Sequence, residues 1–194
     1  MYNIVGDYMR VSVGVSNRHV HLTNEDYKLL FGDIPFTKRN DLKQPGMFAS
    51  ELTVTLEGPK KSISNVRVLG PNRNYTQVEV SKTDSYTLGI DPPIRNSGEL
   101  DDADWISIIG PCGSIKRKAA IVATRHIHVD KSIRAKHNLE GIEKVSVKIG
   151  GEKAGVITNV YLKDSEKAYF ELHLDTDDAN AFLLTQDDEV EIIF

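Results

Sequence analysis

The 194-residue chain has one cysteine, Cys112, so no disulfide can form within it. That fits a reducing compartment. It also lacks an excess of basic charge, with 24 Lys and Arg against 28 Asp and Glu and a formal net charge of −4. Broad nucleic-acid binding needs a basic surface that releases counterions, so no nucleic-acid partner is expected. A local basic pocket for a phosphorylated ligand stays open. No apolar run reaches the roughly 18 residues that a spanning helix requires, so no membrane partner is expected either. The stretch Met1 to Arg10 contains Asp7 and has no basic start followed by an apolar segment, so it does not read as a secretory signal. The expectation is a cytoplasmic protein. Low-complexity tracts are missing, which excludes extended disorder.

Helical signals are scarce. Thr23-Asn24-Glu25-Asp26 can cap a short helix through Phe31, ended by Gly32. Further candidates run from Asp130 to His137 and from Thr176 or Asp177 to Leu184. Short alternating or β-branched runs fill most of the rest. They lie at residues 11–15, 52–56, 66–69, 76–80, 105–109, 118–124, 144–149, 154–162, 169–174 and 189–194. Period-two runs split by Gly, Pro, Asn and Asp predict a mainly β fold, a barrel or sandwich, with the helices as caps. The Gly-, Pro- and Asp-rich residues 89–104 predict a long loop.

One repeat organises the chain. Val13-Gly-Val-Ser-Asn-Arg18-His19-Val20-His21-Leu22 is echoed by Ile121-Val-Ala-Thr-Arg125-His126-Ile127-His128-Val129. The offset is 107 residues (His19 to His126), too long for a solenoid and suited to a duplicated domain.

The repeat carries four of the six histidines. In an extended segment, residues i and i+2 project to one face, so each His-x-His can present two imidazoles to one metal ion. Neutral nitrogen donors suit zinc, iron, nickel or copper. A lone histidine is usually ordinary surface or core, but two matched units led by arginine are not readily random. His173 could join such a site; His137 reads as exposed near a helix end. The spacing His19-x-His21-x3-Glu25 also approaches the first metal motif of cupins. Against that, residues 24–31 read as helix, and the second unit repeats the first instead of supplying the cupin partner motif.

The segment Leu69-Gly70-Pro71-Asn72-Arg73 makes a turn with an arginine at its tip, followed by a strand carrying Glu79. Such an arginine can hold a phosphate by a bidentate pair, and the glutamate can supply an oxygen ligand.

Four motifs in order, Ser16-Asn-Arg18-His19-Val-His21-Leu-Thr, Leu69-Gly-Pro-x-Arg73 with Gln77-Val-Glu79-Val-Ser81, Arg95-Asn-Ser-Gly98 and Thr124-Arg125-His126-Ile-His128, resemble the PduL-type phosphotransacylases. These are also called phosphate propanoyltransferases or phosphate acyltransferases. The resemblance runs from about Val11 to Phe194. It implies two antiparallel β-barrel domains with short capping helices, related by duplication. One domain would be residues 18–124. The other, discontinuous, would join 1–17 to 125–194. It implies two zinc ions per chain, one held by His19, His21 and Glu79 and the other by His126, His128 and His173. Arg73 would bind the attacking phosphate. Arg18, Arg95, Arg125 and Lys82 are candidates for coenzyme A, and Tyr86 for the acyl pocket. The implied substrates are acyl-CoA and phosphate, with coenzyme A as product, in 1,2-propanediol degradation within a bacterial microcompartment. Some relatives carry an N-terminal helical targeting extension. Here about ten residues precede the first strand without a clear amphipathic helix, which leaves shell association without a signal. A homodimer is the expectation by base rate.

The expected reaction is direct attack of phosphate on the thioester of a short acyl-CoA, propanoyl or acetyl. A covalent route through Cys112 competes with it, but Gly110-Pro-Cys112-Gly has no neighbouring histidine to activate the thiol. The alternatives from other classes are a cupin-like single-metal oxygenase or isomerase, and a non-catalytic metal-storage or shell-associated module.

Overall fold

The computed structural model describes residues 9–165 and 169–193. Residues 1–8, which include most of the segment read above for a leader, and Phe194 of the last expected strand lie outside them. Within the described residues the order of elements is β1 (Met9–Ser16), β2 (His19–His21), α1 (Asn24–Phe31), β3 (Lys38–Asp41), β4 (Phe48–Glu57), β5 (Ser62–Gly70), β6 (Gln77–Glu79), α2 (Lys82–Leu88), β7 (Ile94–Arg95), β8 (Asp104–Ile109), β9 (Ser114–Ala123), β10 (His126–Val129), α3 (Lys131–Lys136), β11 (Lys144–Ile149), β12 (Gly155–Asp164), β13 (Glu171–Asp175), α4 (Thr176–Ala181) and β14 (Glu189–Ile193). The fold is mainly β with short helices, as the alternating runs predict.

The chain divides into two compact units, Asn17–Thr124 and Met1–Ser16 with Arg125–Phe194. In the contiguous unit, β4, β5, β2, β6, β9 and β8 pair in that order and β8 returns to β4, closing a six-stranded barrel. Strand β3 adds to β4 and β7 to β9. In the discontinuous unit, β1, β13, β10, β12, β11 and β14 close a second barrel. The two rings match strand for strand. In each, the His-x-His strand is antiparallel to one neighbour and parallel to the other.

The pairing is antiparallel apart from two parallel pairs per barrel, β2–β5 and β6–β9 in one, β10–β12 and β1–β13 in the other. Each parallel pair is separated in sequence by a long connection that includes a helix, as a crossover requires. Alternation of apolar residues reports which face is buried and carries no information about strand direction, so the sequence leaves this undetermined. The strands before the two Arg-His-x-His units are exchanged: β1 precedes β2 but closes the barrel of β10, while β9 precedes β10 but closes the barrel of β2.

Each barrel is filled by its own apolar cluster. Val11, Val13, Ile127, Val147, Leu172 and Ile192 pack in one; Val20, Val54, Leu56, Val68, Val78 and Ile108 in the other. Full burial of such a side chain contributes about 1.5–3 kcal/mol. This sets the pleat at the functional strands. Val20 faces Val78 and Ile127 faces Leu172 across their ladders, all four wholly buried in the cores. Their neighbours in sequence, the histidines among them, must then point to the outer face.

Three helices lie where the sequence places them, with Thr23, Asp130 and Asp175 as N-caps, although α4 ends at Ala181, short of the expected Leu184. Helix α2 has no counterpart in the sequence reading, which assigns nothing between the run at 76–80 and the loop at 89–104. Its signal is a capping box, Ser81 with Asp84, and a left-handed Gly89 at its end.

Candidate metal centres

On β2 and β6 the register opposes His19 to Glu79 and His21 to Gln77. The His19 Nε2 lies 3.6 Å from the Glu79 Oε2, and the two imidazole centroids are 5.0 Å apart. The His19 Nδ1 is 2.8 Å from the carbonyl oxygen of Asn17, which only accepts, so Nδ1 carries the proton and Nε2 faces Glu79. His19, His21 and Glu79 each offer one donor atom within 4.8 Å of the others. Glu25, the residue the cupin spacing brings forward, sits instead in the first turn of α1.

The supports of this set come from three distant segments. Gln77, fully buried, donates from Nε2 to the Glu79 Oε1 at 2.6 Å and to the Ser97 Oγ at 2.9 Å, and its Oε1 accepts from the Gly98 amide at 2.7 Å. The Arg73 amide donates to the Leu22 carbonyl at 2.8 Å, which pins the turn beside His21. From there the Arg73 guanidinium donates to the hydroxyls of Tyr75 (3.1 Å) and Ser97 (3.0 Å). Among the described residues its side chain meets hydroxyls and no carboxylate.

The electrostatics favour a cation between the donors. Burial, then the neighbouring His19 and the Arg73 charge, hold His21 well below its ordinary pKa, so it is neutral. Burial also pulls His19 down, but the charge and hydrogen bond of Glu79, with the Asn17 carbonyl, outweigh it and raise that pKa. A proton shared with Glu79 is thus favoured where a metal would sit.

The second set repeats the first on β10 and β13. His126 opposes His173 and His128 opposes Glu171. The ring centroids of His126, His128 and His173 lie 4.8–5.0 Å apart, and their donor atoms again fall within 4.8 Å. Tyr169 donates to the Glu171 Oε2 at 2.6 Å and lies 2.8 Å from the His173 Nε2. Burial and the Glu171 carboxylate raise the Tyr169 pKa, so it stays a donor. Burial, followed by the charges of His173 and Lys163, lowers His128 to about 4 and leaves it a neutral nitrogen donor at pH 7.

Both sets suit a divalent first-row metal such as zinc: imidazole nitrogens with one carboxylate in the first, three imidazoles in the second. The His21 Nδ1 is buried with no hydrogen-bond partner among the described residues, a polar atom that a bound cation would satisfy.

The four basic residues considered for coenzyme A all carry carboxylate partners. Arg18 pairs with Asp84 (2.8 Å) and Arg125 with Asp178 (2.6 Å); Lys82 pairs with Asp91 and Arg95 with Asp102. Tyr86 is 66% exposed on α2, with the Lys82 ammonium 5.4 Å from its ring centre. His137 is the C-cap of α3. Sequence reasoning singles out neither Gln77 and Ser97 nor Tyr169 and Glu171. Their partners lie in other strands and loops, and a local motif search does not reach them. The one available signal is position: Gln77 and Glu171 each stand two residues before the third donor.

A model of the phosphate propanoyltransferase family matches residues 12–185. A phosphate propanoyltransferase of Rhodopseudomonas palustris (strain BisB18) is 50% identical over 188 residues, 96% of this chain and 83% of that protein. One of Rhodobacter capsulatus is 45% identical over 184 residues, 94% of this chain and 86% of that protein. One of Thermotoga maritima is 42% identical over 196 residues, 100% of this chain and 93% of that protein. Both halves of the repeat, with all six donors and Arg73, fall inside the matched span, and the chain belongs to the phosphate propanoyltransferase family of acyltransferases.

Proposed function

We propose that the chain is a zinc-dependent phosphotransacylase that moves a propanoyl group between coenzyme A and inorganic phosphate. The observation that carries this reading is the pair of three-donor sets in a chain of this family, one beside an arginine that donates to two hydroxyls and, among the described residues, meets no carboxylate. His19, His21 and Glu79 would hold one zinc, and His126, His128 and His173 the other. Zinc bound there supplies Lewis-acid stabilisation of the negative charge that acyl transfer develops.

In the proposed reaction a phosphate oxygen forms a bond to the thioester carbonyl carbon. The carbon–sulfur bond breaks and sulfur leaves with the electron pair. Any proton carried by the phosphate passes to the thiolate or to water. Phosphate is largely dianionic near neutral pH, so no dedicated base is needed. Arg73 binds it through the guanidinium fork and holds it for attack; Ser97 and Tyr75 fix the arginine's direction. Gln77 and the Asn17 carbonyl keep Glu79 and His19 in register. For coenzyme A we assign Lys82 and Arg95 ahead of Arg18 and Arg125. The pairs Lys82–Asp91 and Arg95–Asp102 are exposed and screened by solvent, so each can exchange a carboxylate for a ligand phosphate at little cost. Tyr86, on the same helix as Lys82, is assigned to the acyl group.

The test is release of free coenzyme A thiol from propanoyl-CoA. It should require phosphate, stop with a chelator and return with zinc, at about two zinc per chain. Arg73→Gln should lower kcat/KM for phosphate by about 10- to 100-fold, the equivalent of one charge-assisted hydrogen-bonded contact. No thiol release from propanoyl-, acetyl- or butanoyl-CoA would overturn the transferase reading. Full activity in a protein stripped of metal would overturn the zinc.

A further inference from the structure

The Arg-His-x-His repeat has a second half that residue identity conceals. Gln77-Val-Glu79-Val-Ser81-x-x-Asp84 and Glu171-Leu-His173-Leu-Asp175-x-x-Asp178 correspond with a constant spacing of 94 residues (Glu79 to His173, Asp84 to Asp178). Each begins on the strand bearing the third donor and runs into a short helix. Ser81 and Asp175 are the N-caps, accepting from the amides of Asp84 and Asp178. At the matching third helical position, Asp84 and Asp178 each take the arginine that opens the corresponding His-x-His unit. The Arg18 Nε and Nη2 reach the Asp84 Oδ1 at 2.9 and 2.8 Å. The Arg125 Nε and Nη2 reach the two Asp178 oxygens at 2.6 Å each.

We propose that Asp84 and Asp178 are positioning residues of the two donor sets, acting through Arg18 and Arg125. Each set draws two donors from one strand and the third from its antiparallel neighbour, and one ladder hydrogen-bond register must be held for all three to meet. The ion pair joins the two segments just beyond that ladder, one residue before the first histidine and five residues after the third donor. Asp84 is 4% exposed, and both arginines are engaged by two nitrogens, a geometry that fixes direction as well as distance. The aspartate fixes the arginine that stands next to the first imidazole in sequence. The same construction occurs in both units although the third donors differ, glutamate in one and histidine in the other. What the repeat preserves is therefore the clamp, and the donor it serves varies.

This inference rests on the metal reading, and its test separates the two. Zinc affinity is measured on the full chain by competition with a chromogenic chelator, with melting temperature followed in parallel. The wild type should bind two zinc. Asp84→Asn and Arg18→Gln should each weaken one of them by up to about 10- to 100-fold, the range for losing a direct outer partner of a metal ligand, and leave the other unchanged. Asp178→Asn and Arg125→Gln should do the same to the other site. Asp84→Glu, which keeps the charge, should recover most of the loss. Ser81→Ala removes the helix cap and leaves the ion pair; it should lower the melting temperature without changing zinc affinity. Arg18→Gln leaves the cap intact and so serves if Asp84→Asn does not fold. A wild-type protein that binds no zinc ends the metal reading and this proposal with it. A wild type that binds two, with Arg18→Gln and Arg125→Gln binding both as tightly and raising only the KM for coenzyme A, overturns the clamp alone.

Discussion

Gly14→Ala should damage the second donor set from outside it. Gly14 lies in β1 opposite His173 of β13. A Cβ added there would stand 2.7 Å from the Glu171 Oε2, 2.8 Å from the Glu171 Cδ and 3.2 Å from the His173 Cδ2. Favourable contacts between non-bonded carbons begin at roughly 3.5 Å, so the carboxyl group has to move. It has little room: Glu171 is 4% exposed and held by the Tyr169 hydroxyl and His173. The alternative is to part β1 from β13. An alanine in a strand would ordinarily gain about 0.5–1 kcal/mol over glycine, and overpacking costs about 1–3 kcal/mol. The net, taken at the middle of these ranges, is a loss of about 1 kcal/mol. A unit of this size loses about 4–8 °C in Tm per kcal/mol. Circular dichroism on metal-free protein should therefore show a Tm lower by several degrees, with reduced zinc content at one of the two sites and reduced propanoyl-CoA turnover. Gly150→Ala, where an added Cβ meets nothing within 4 Å, is the control and should melt as the wild type does. Wild-type Tm and two zinc in Gly14→Ala would refute the packing argument.

Two further outcomes follow from the same geometry. His128 is held at about 4 in the folded protein against 6.5 when unfolded, so between those values the unfolded chain binds more protons. The His128 contribution to the stability of the metal-free protein should be flat above pH 6.5 and fall as pH drops towards 4, while the raised His19 and the lowered His21 add slopes of their own. The gap corresponds to about 3 kcal/mol at 1.36 kcal/mol per pH unit, reduced to about 1–2 kcal/mol because the ring is partly exposed. Urea titrations at pH 7 and pH 5 check this, and His128→Gln should reduce the difference by that amount, the remainder coming from His21; an unchanged pH dependence in that variant would refute it. Cys112 is exposed in a turn, with its amide donating to the Leu30 carbonyl. Cys112→Ala should keep full turnover, and loss of the phosphate-dependent thiol release would reinstate an acyl-cysteine route.

The donors were legible in the sequence to different depths. His19 with His21, and His126 with His128, are local: period-two pleating alone puts each pair on one face, and Val20 and Ile127 in the cores confirm which face. Glu79 and His173 can be named from the sequence as possible ligands, but their assignment to a particular pair comes only from family resemblance, because no local rule links a strand to the residue 47 or 60 positions away that opposes it. Gln77, Ser97, Tyr169 and Glu171 need the ladder register and loop path as well. Helix α2 is hard to see for a different reason: its apolar residues are few, and its signal is a capping box without an apolar periodicity behind it. Strand direction was the least accessible feature, since a buried Val78 looks the same beside a parallel or an antiparallel neighbour.

The exchanged first strand sets the order in which the chain can be completed as it is made. Residues 17–124 contain every strand of their own barrel and can close as soon as β9 has emerged. Strand β1 is synthesised before any of them, but its partners are β13 and β14 near the other end. At about 5–20 residues per second, its Val11, Val13 and Val15 wait on the order of 10–35 s for the residues that cover them. For that interval the nascent protein trails an unsatisfied β-branched edge, the kind of segment that pairs with whatever strand it meets. Slower elongation over residues 125–170 would lengthen this wait without altering the finished fold.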